Sequence, residues 1–299
     1  MSRRVRIFRV DAFTTAPCTG NPAGVVLDGE PLDERSMQSL TRELGGVDVA
    51  FVLPPDGADH DLRVRFFTPR AETGLVGHAT VAVHAVLDAL GYPLRRRQKQ
   101  RGGMVDIERL KGSQGTRYAF SQPPPPLHGP LPADQLTLIL AALGLDGTEL
   151  DPDCPTVAAG SGGSRALIAL RTGATLARLR PDLSRLSALS AAGSPAGFFV
   201  YSLAPSIPDC DSEARMFCPA LGIPEDPVSG NAHAMLVTQL HALGRIPDRR
   251  GALEFTGRQG HHIGRPGEVT VRIVDDTASV RQVRVAGSAR IVYDATLDL

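Results

Sequence analysis

Apolar and polar residues alternate where the chain begins: Val5, Ile7 and Val10 are interleaved with Arg4, Arg6 and Arg9. A period of two predicts a half-buried strand over residues 5–12. A turn segment rich in Thr, Pro and Gly fills 14–22, and 23–27 reads as a second strand. Residues 31–44 take a helical spacing, with Asp33 as the candidate cap, Met37, Leu40, Arg42 and Leu44 along the helix, and Gly45 and Gly46 closing it. Two further strands are predicted at 47–53 and 62–68. The stretch 79–90 is Ala, Val and Leu with little charge, as expected of a helix buried on all sides, and Gly91 and Pro93 end it.

The second half repeats this order. A helix is predicted at 136–143, a strand at 166–170, a helix at 183–191, strands at 197–203 and 214–218, and a long apolar helix at 232–243 closed by Gly244. Strands at 268–274, 280–285 and 289–293 complete the chain. Between the halves, Gln122 is followed by four prolines, which continue neither strand nor helix. The domains are therefore set at 1–121 and 127–299, with the last strand free to pack back on the first domain. The expected fold is α+β: two similar domains, each a curved sheet around one central helix, with the active site in the cleft between them.

The chemistry sits just before the two apolar helices. Glu72, Thr73, Gly74, Leu75, Val76, Gly77, His78, Ala79 and Thr80 precede and open the first. Glu225, Asp226, Pro227, Val228, Ser229, Gly230, Asn231, Ala232 and His233 precede and open the second. Each segment follows a strand and turns on glycine, so its amides gather at a helix N-terminus, where an anionic group binds well. A small acid held between His78 and Asp226 is the expected ligand. Pro227 biases Asp226 toward an extended conformation, from which it can orient an amine or hydroxyl. The helix N-terminus disfavours an imidazolium, so His78 is expected as a neutral donor. His233, one turn into its helix, reads as a core or cap histidine. His261 and His262 follow the Gln259, Gly260 turn and are candidates to line the cleft, but not as a metal pair, since adjacent side chains rarely converge. The glycine-rich run 158–164 lacks the P-loop lysine and the dinucleotide spacing, and reads as a tight turn.

Composition narrows the classes. The chain of 299 residues is 42% hydrophobic and 21% charged, with 32 basic and 32 acidic residues. No net field recruits nucleic acid or an anionic membrane. The basic run 95–101 reads as a solvated loop or edge strand. No apolar stretch is long enough to span a membrane, and the arginine-rich start is unlike a signal peptide, so a cytoplasmic protein is expected. Cys18, Cys154, Cys210 and Cys218 are scattered, which favours reduced thiols over a zinc site. No metal is expected.

The ordered set Val10 to Thr14, Gly20 to Ala23, Phe66 to Pro69 with Glu72, Gly77 to Thr80, Glu225 to Val228 with Gly230, Ala232 and His233, Gln259 with Gly260, and Gly264 to Pro266 spans nearly the whole chain. In it the sequence resembles the phenazine-biosynthesis isomerase-like proteins, relatives of diaminopimelate epimerase and proline racemase. The resemblance implies the duplicated sheet-around-helix fold, an active site needing no cofactor, and a homodimer. The best understood member isomerises trans-2,3-dihydro-3-hydroxyanthranilate, moving a hydrogen between ring carbons. Its acid/base is a glutamate in a Ser-Glu-Thr segment, and the matching segment here is Val47, Asp48 and Val49. By spacing alone Asp48 is a turn aspartate; the family pattern makes it the general acid/base. The aspartate reaches about 1.5 Å less, and a misplacement of about 1 Å can cost roughly 100-fold in rate. Either the substrate sits closer or the substrate differs. The flanking valines are expected to desolvate the carboxylate and raise its pKa.

The catalytic candidates are thus Asp48, His78 and Asp226, and the substrate-binding candidates Gly77, Ala79, Gly230, Asn231 and Glu72. Asn231 stands where the family often has a small hydroxyl or glycine. The thiol pair of the racemase cousins is missing from both loops. The expected activity is a cofactor-independent isomerase acting on a small cyclic or unsaturated amino or hydroxy acid. The alternatives are a carboxylate-based racemase or epimerase, and a weakly catalytic small-acid-binding protein.

Overall fold

The computed structural model describes residues 4–29, 32–112, 115–160, 165–246, 248–249, 252–276 and 279–298. The chain divides into two compact units, Met1–Gln122 with Arg284–Leu299, and Pro123–Val283.

The first unit runs β1 (Arg4–Ala12), β2 (Asn21–Val26), α1 (Glu34–Glu43), β3 (Asp48–Leu53), β4 (Leu62–Phe67), β5 (Glu72–Thr73), α2 (Gly77–Ala89), β6 (Arg97–Gln100), β7 (Gly103–Gly112) and β8 (Gly115–Gln122). The strands β1, β2, β3, β4, β6, β7 and β8 lie side by side in that order. The β2–β3 and β4–β6 pairs are parallel and the other pairs antiparallel. Ala79, Ala82, Val83 and Val86 of α2 pack with Val10, Ala23, Val25, Ala50 and Phe66. Met37 and Leu40 of α1 pack with Ile7, Val26, Val49, Phe51 and Phe67. Alternate residues of β3 therefore face opposite helices, because successive side chains point to opposite faces. Asp48 shares parity with Ala50 and so falls on the α2 face. Each fully buried Val, Leu or Phe on either face contributes about 1.5–3 kcal/mol.

The second unit runs β9 (Leu127–Pro130), α3 (Ala133–Leu143), β10 (Val157–Ala159), β11 (Arg165–Leu170), α4 (Gly173–Arg178), α5 (Leu183–Ala191), β12 (Gly197–Ser202), β13 (Ser212–Cys218), β14 (Ile223–Asp226), α6 (Gly230–Ala242), β15 (Asp248–Arg249), β16 (Ala252–Gln259), β17 (Gly267–Asp276) and the start of β18 (Ser279–Gly287), whose residues from Arg284 on belong to the first unit. The lateral order is β9, β10, β11, β12, β13, β16, β17, with β11–β12 and β13–β16 parallel and the other pairs antiparallel. Ile139, Leu143, Leu176 and Leu186 cover one face, packing with Ile168, Phe198, Val200 and Phe217. The other face meets α6, as Phe199 edges onto the His233 ring at 5.1 Å.

The last strand, β19 (Ala289–Asp298), belongs to the first unit and pairs antiparallel with β1, Arg4 opposite Asp298. The alternating arginines of the chain's start find partners here: Arg4 Nε lies 3.2 Å from Asp298 and Arg6 Nε 3.1 Å from Asp294. With β19 placed beside β1, the two units have the same strand order and the same parallel pairs. Each holds a 13-residue helix after a short hairpin strand.

One expectation is corrected. The basic run holds β6, which is no edge strand but lies between β4 and β7. Its Arg97 and Lys99 are exposed, while Gln98 and Gln100 are buried. Gln98 takes His84 Nε2 at 3.1 Å and donates to Gln100 at 2.9 Å, so the buried face is polar and satisfied. The helix predicted from Pro31 begins at Glu34, capped by Asp33, whose carboxylate accepts from the Ser36 amide; Pro31 itself lies outside the described residues. So does 161–164 of the glycine-rich run.

Candidate active site

In the first unit, Asp48 opens β3 opposite Ala23 of β2, and His78 is the second residue of α2. Their side chains are 19% and 14% exposed, with His78 Nε2 3.7 Å from Asp48 Oδ2. That is longer than a hydrogen bond. Burial pushes His78 down to about 4, so at neutral pH a neutral imidazole faces the carboxylate. One small polar group can touch both. Val76, at the N-cap of α2, supplies no side-chain cap to the amides that follow.

The loop before α2 is fixed by close packing. The Gly102 amide donates to Gly74 O at 3.0 Å, and a Cβ on Gly102 would sit 2.8 Å from that oxygen. A Cβ on Gly77 would sit 3.0 Å from Phe120 Cζ. Ala79, fully buried, packs into the core beneath. Glu72 is held in a different way from the sequence expectation. Arg65 donates to both its oxygens at 2.8 Å, and these hydrogen bonds hold the carboxyl below its ordinary range. The guanidinium also stacks 5.1 Å over Phe67.

The second unit repeats this clamp. Arg215 donates to both Glu225 oxygens, at 2.9 and 2.8 Å, and stacks 5.0 Å over Phe217. Glu72 precedes Gly77 by the same interval as Glu225 precedes Gly230, so His78 corresponds to Asn231 and Val76 to Ser229. Asp226 ends β14 opposite Met216. The loop after it is held by Gln259, 1% exposed, whose Nε2 donates to Asp226 O at 2.6 Å and whose Oε1 accepts from the Ser229 amide at 3.1 Å. Ser229 then caps α6, accepting from the Ala232 amide at 3.2 Å. The arginine–glutamate clamps and the Gln259 bridge escaped the sequence reading. Superposing the two motifs on their glutamates would have exposed the clamps, since each glutamate follows a strand with an Arg two residues before a Phe.

His233 is wholly buried, bonds Ser229 O through Nδ1 at 2.8 Å, and is pushed down to about 4 by burial. His262 Nε2 meets Glu213 Oε1 at 3.2 Å, and Glu213 also accepts from Ser206 N and Oγ at 2.9 and 2.6 Å. His262 thus ties two loops of the second unit together. Where Asp48 stands in β3, the second unit has Gly197 at the start of β12, and a Cβ there would sit 2.7 Å from Cys218 Sγ. Burial pushes the Cys218 thiol up to about 12 and Cys210 to about 11. Among the described residues no group of three or more His, Cys, Asp or Glu is arranged to hold a metal. Among them, too, no helix is long and apolar enough to cross a membrane.

The family described as phenazine biosynthesis-like protein matches residues 10–295. The chain belongs to this family. It is similar to the "uncharacterized isomerase YddE" of Escherichia coli O157:H7, 37% identical over 97% of each chain. Among solved structures, a PhzF-family phenazine biosynthesis protein of Bacillus anthracis superposes with a TM-score of 0.86 at 26% identity, covering 99% of both chains. A hydroxyproline epimerase of Agrobacterium vitis superposes at 0.64 with 13% identity, over 99% of this chain and 93% of that one, and shares the fold. The protein is accordingly an α+β isomerase of the phenazine biosynthesis-like family.

Proposed function

We propose that this isomerase moves a proton between two carbons of a small cyclic or unsaturated amino or hydroxy acid, without a cofactor, and that Asp48 is its acid/base. The observation that carries the reading is the Asp48–His78 pair, 3.7 Å apart and not bonded to one another. Asp48 removes a proton from an activated carbon; the carboxylic acid so formed returns it to a second carbon. His78, neutral because burial disfavours its charged form, donates a hydrogen bond to a substrate heteroatom and stabilises charge there as the proton leaves. The amides around Gly77 and Ala79 hold the substrate carboxylate. Glu72 supports the loop through Arg65.

The test is proton NMR in heavy water with trans-2,3-dihydro-3-hydroxyanthranilate, followed by small unsaturated amino acids, comparing wild type with Asp48→Asn. Migration of a ring or vinyl hydrogen with wild type alone supports the reading. An inverted stereocentre with no double-bond movement favours an epimerase, and tight binding without exchange sinks catalysis by Asp48.

A further inference from the structure

The first unit carries a cavity of about 730 Å³ whose lining includes neither Asp48 nor His78. Arg35 and Arg42 of α1, Arg70 and Arg101 surround it, with Glu34 and Glu72 as the acidic members. Both carboxylates are already engaged: Arg65 binds Glu34 at 2.7 Å and Glu72 at 2.8 Å. Among the described residues neither Arg35 nor Arg42 pairs with a carboxylate. Arg42 is held in place instead, its Nε donating to Pro69 O at 3.2 Å, and Gln38 donates to Thr68 O at 2.9 Å on the same turn. Arg101 also lies 3.8 Å from Glu72, and four arginines against two glutamates still give the lining a positive balance. In a chain whose total charge is zero, that concentration is local.

We propose that this cavity binds a small phosphorylated molecule. Its volume falls in the range of small-molecule sites, roughly 300–1,000 Å³. Guanidinium forks match the oxygens of a phosphate pairwise, which a point-like ammonium does not. Forks on separate elements, Arg35 and Arg42 of α1 and Arg101 of the turn before β7, favour a ligand with more than one negative charge.

Pyrophosphate is the probe, titrated into the full-length protein by calorimetry at low ionic strength and followed by phosphorus NMR, with citrate as the comparison. One pyrophosphate per chain is expected, weakened at least tenfold in the double variant Arg35→Gln, Arg101→Gln, and weakened progressively by added salt. Both side chains are exposed, so the variant should keep the wild-type melting temperature. No binding at millimolar pyrophosphate overturns the proposal, as does equal affinity in the folded variant. Citrate binding more tightly than pyrophosphate overturns the phosphate assignment in favour of a polycarboxylate.

Discussion

The two arginine–glutamate clamps share geometry and differ in burial, so the same substitution should cost different amounts in the two units. In Glu225→Gln the amide keeps one hydrogen bond to Arg215 but removes the charge opposite it. Arg215 is 8% exposed, and what remains are the carbonyls of Leu176 and Leu179 at 3.0 and 3.1 Å. Leaving a buried guanidinium without its carboxylate costs about 2–4 kcal/mol. In Glu72→Gln, Arg65 is 28% exposed and retains Glu34 at 2.7 Å, so about 1 kcal/mol is expected. For a unit of this size each kcal/mol lowers the midpoint by about 2–4 °C, giving roughly 4–16 °C for Glu225→Gln. A chain of two units need not unfold in one step. Hydrogen exchange read by mass spectrometry in urea is therefore the assay, since peptides from each unit report separately. The reasoning fails if Glu72→Gln costs as much as Glu225→Gln, or if the loss in Glu225→Gln appears in peptides of the first unit.

Gln259→Leu should remove both bonds to the 226–229 loop, destabilise by about 2–3 kcal/mol, and speed exchange of the Ser229 amide; an unchanged Ser229 rate would refute the bridge. Gly77→Ala should cost about 1–3 kcal/mol as its methyl meets Phe120, and an unchanged melting temperature would show that the ring gives way freely. Acid should weaken the fold before the carboxylates titrate. Burial lowers His84 and His233 to about 4 from 6.5, so the native state binds fewer protons than the unfolded chain between those values. Their contribution is complete above about 6.5 and is lost as pH falls toward 4, at roughly 3 kcal/mol each. Denaturant unfolding at pH 7, 5.5 and 4.5 measures it, and constant stability across that window would contradict the assignment.

Much of the scaffold was legible because it obeys simple periods. The apolar helices of residues 77–89 and 230–242 and the strands around them follow from spacing, and the ordered motifs disclosed the family. The strands β7 and β8 escaped, as did the interior place of β6, whose inward positions are glutamines and whose burial depends on partners that spacing does not reveal. The pairing of Asp48 with His78 was legible only through the family pattern: their 3.7 Å approach depends on which face of β3 meets α2, a tertiary property. Glu72 illustrates the converse, since its bidentate bond to Arg65 across the hairpin depends on a strand pairing that spacing does not reveal.

The duplication bears on how many bases the enzyme uses. Its scaffold is copied: the clamps, the 13-residue helices and the strand order occur twice. Its chemistry is not. The second unit has Asn231 for His78 and Gly197 for Asp48, and a side chain at Gly197 would collide with Cys218. Cys218 itself holds its proton to about pH 12. Two-base inversion needs an acid on one face and a base on the other, and the second copy offers neither at the matching position. A single carboxyl that takes and returns the proton fits this asymmetry, and it leaves an isotopic trace. When unlabelled substrate turns over once in heavy water, a one-base shift returns part of the original hydrogen to the new carbon, because the half-buried acid recaptures it ahead of solvent exchange. Two-base transfer delivers deuterium from a separate acid and leaves no protium there. Product carrying measurable protium at the new position after a single turnover supports Asp48 acting alone; complete deuteration would refute recapture by a shielded Asp48.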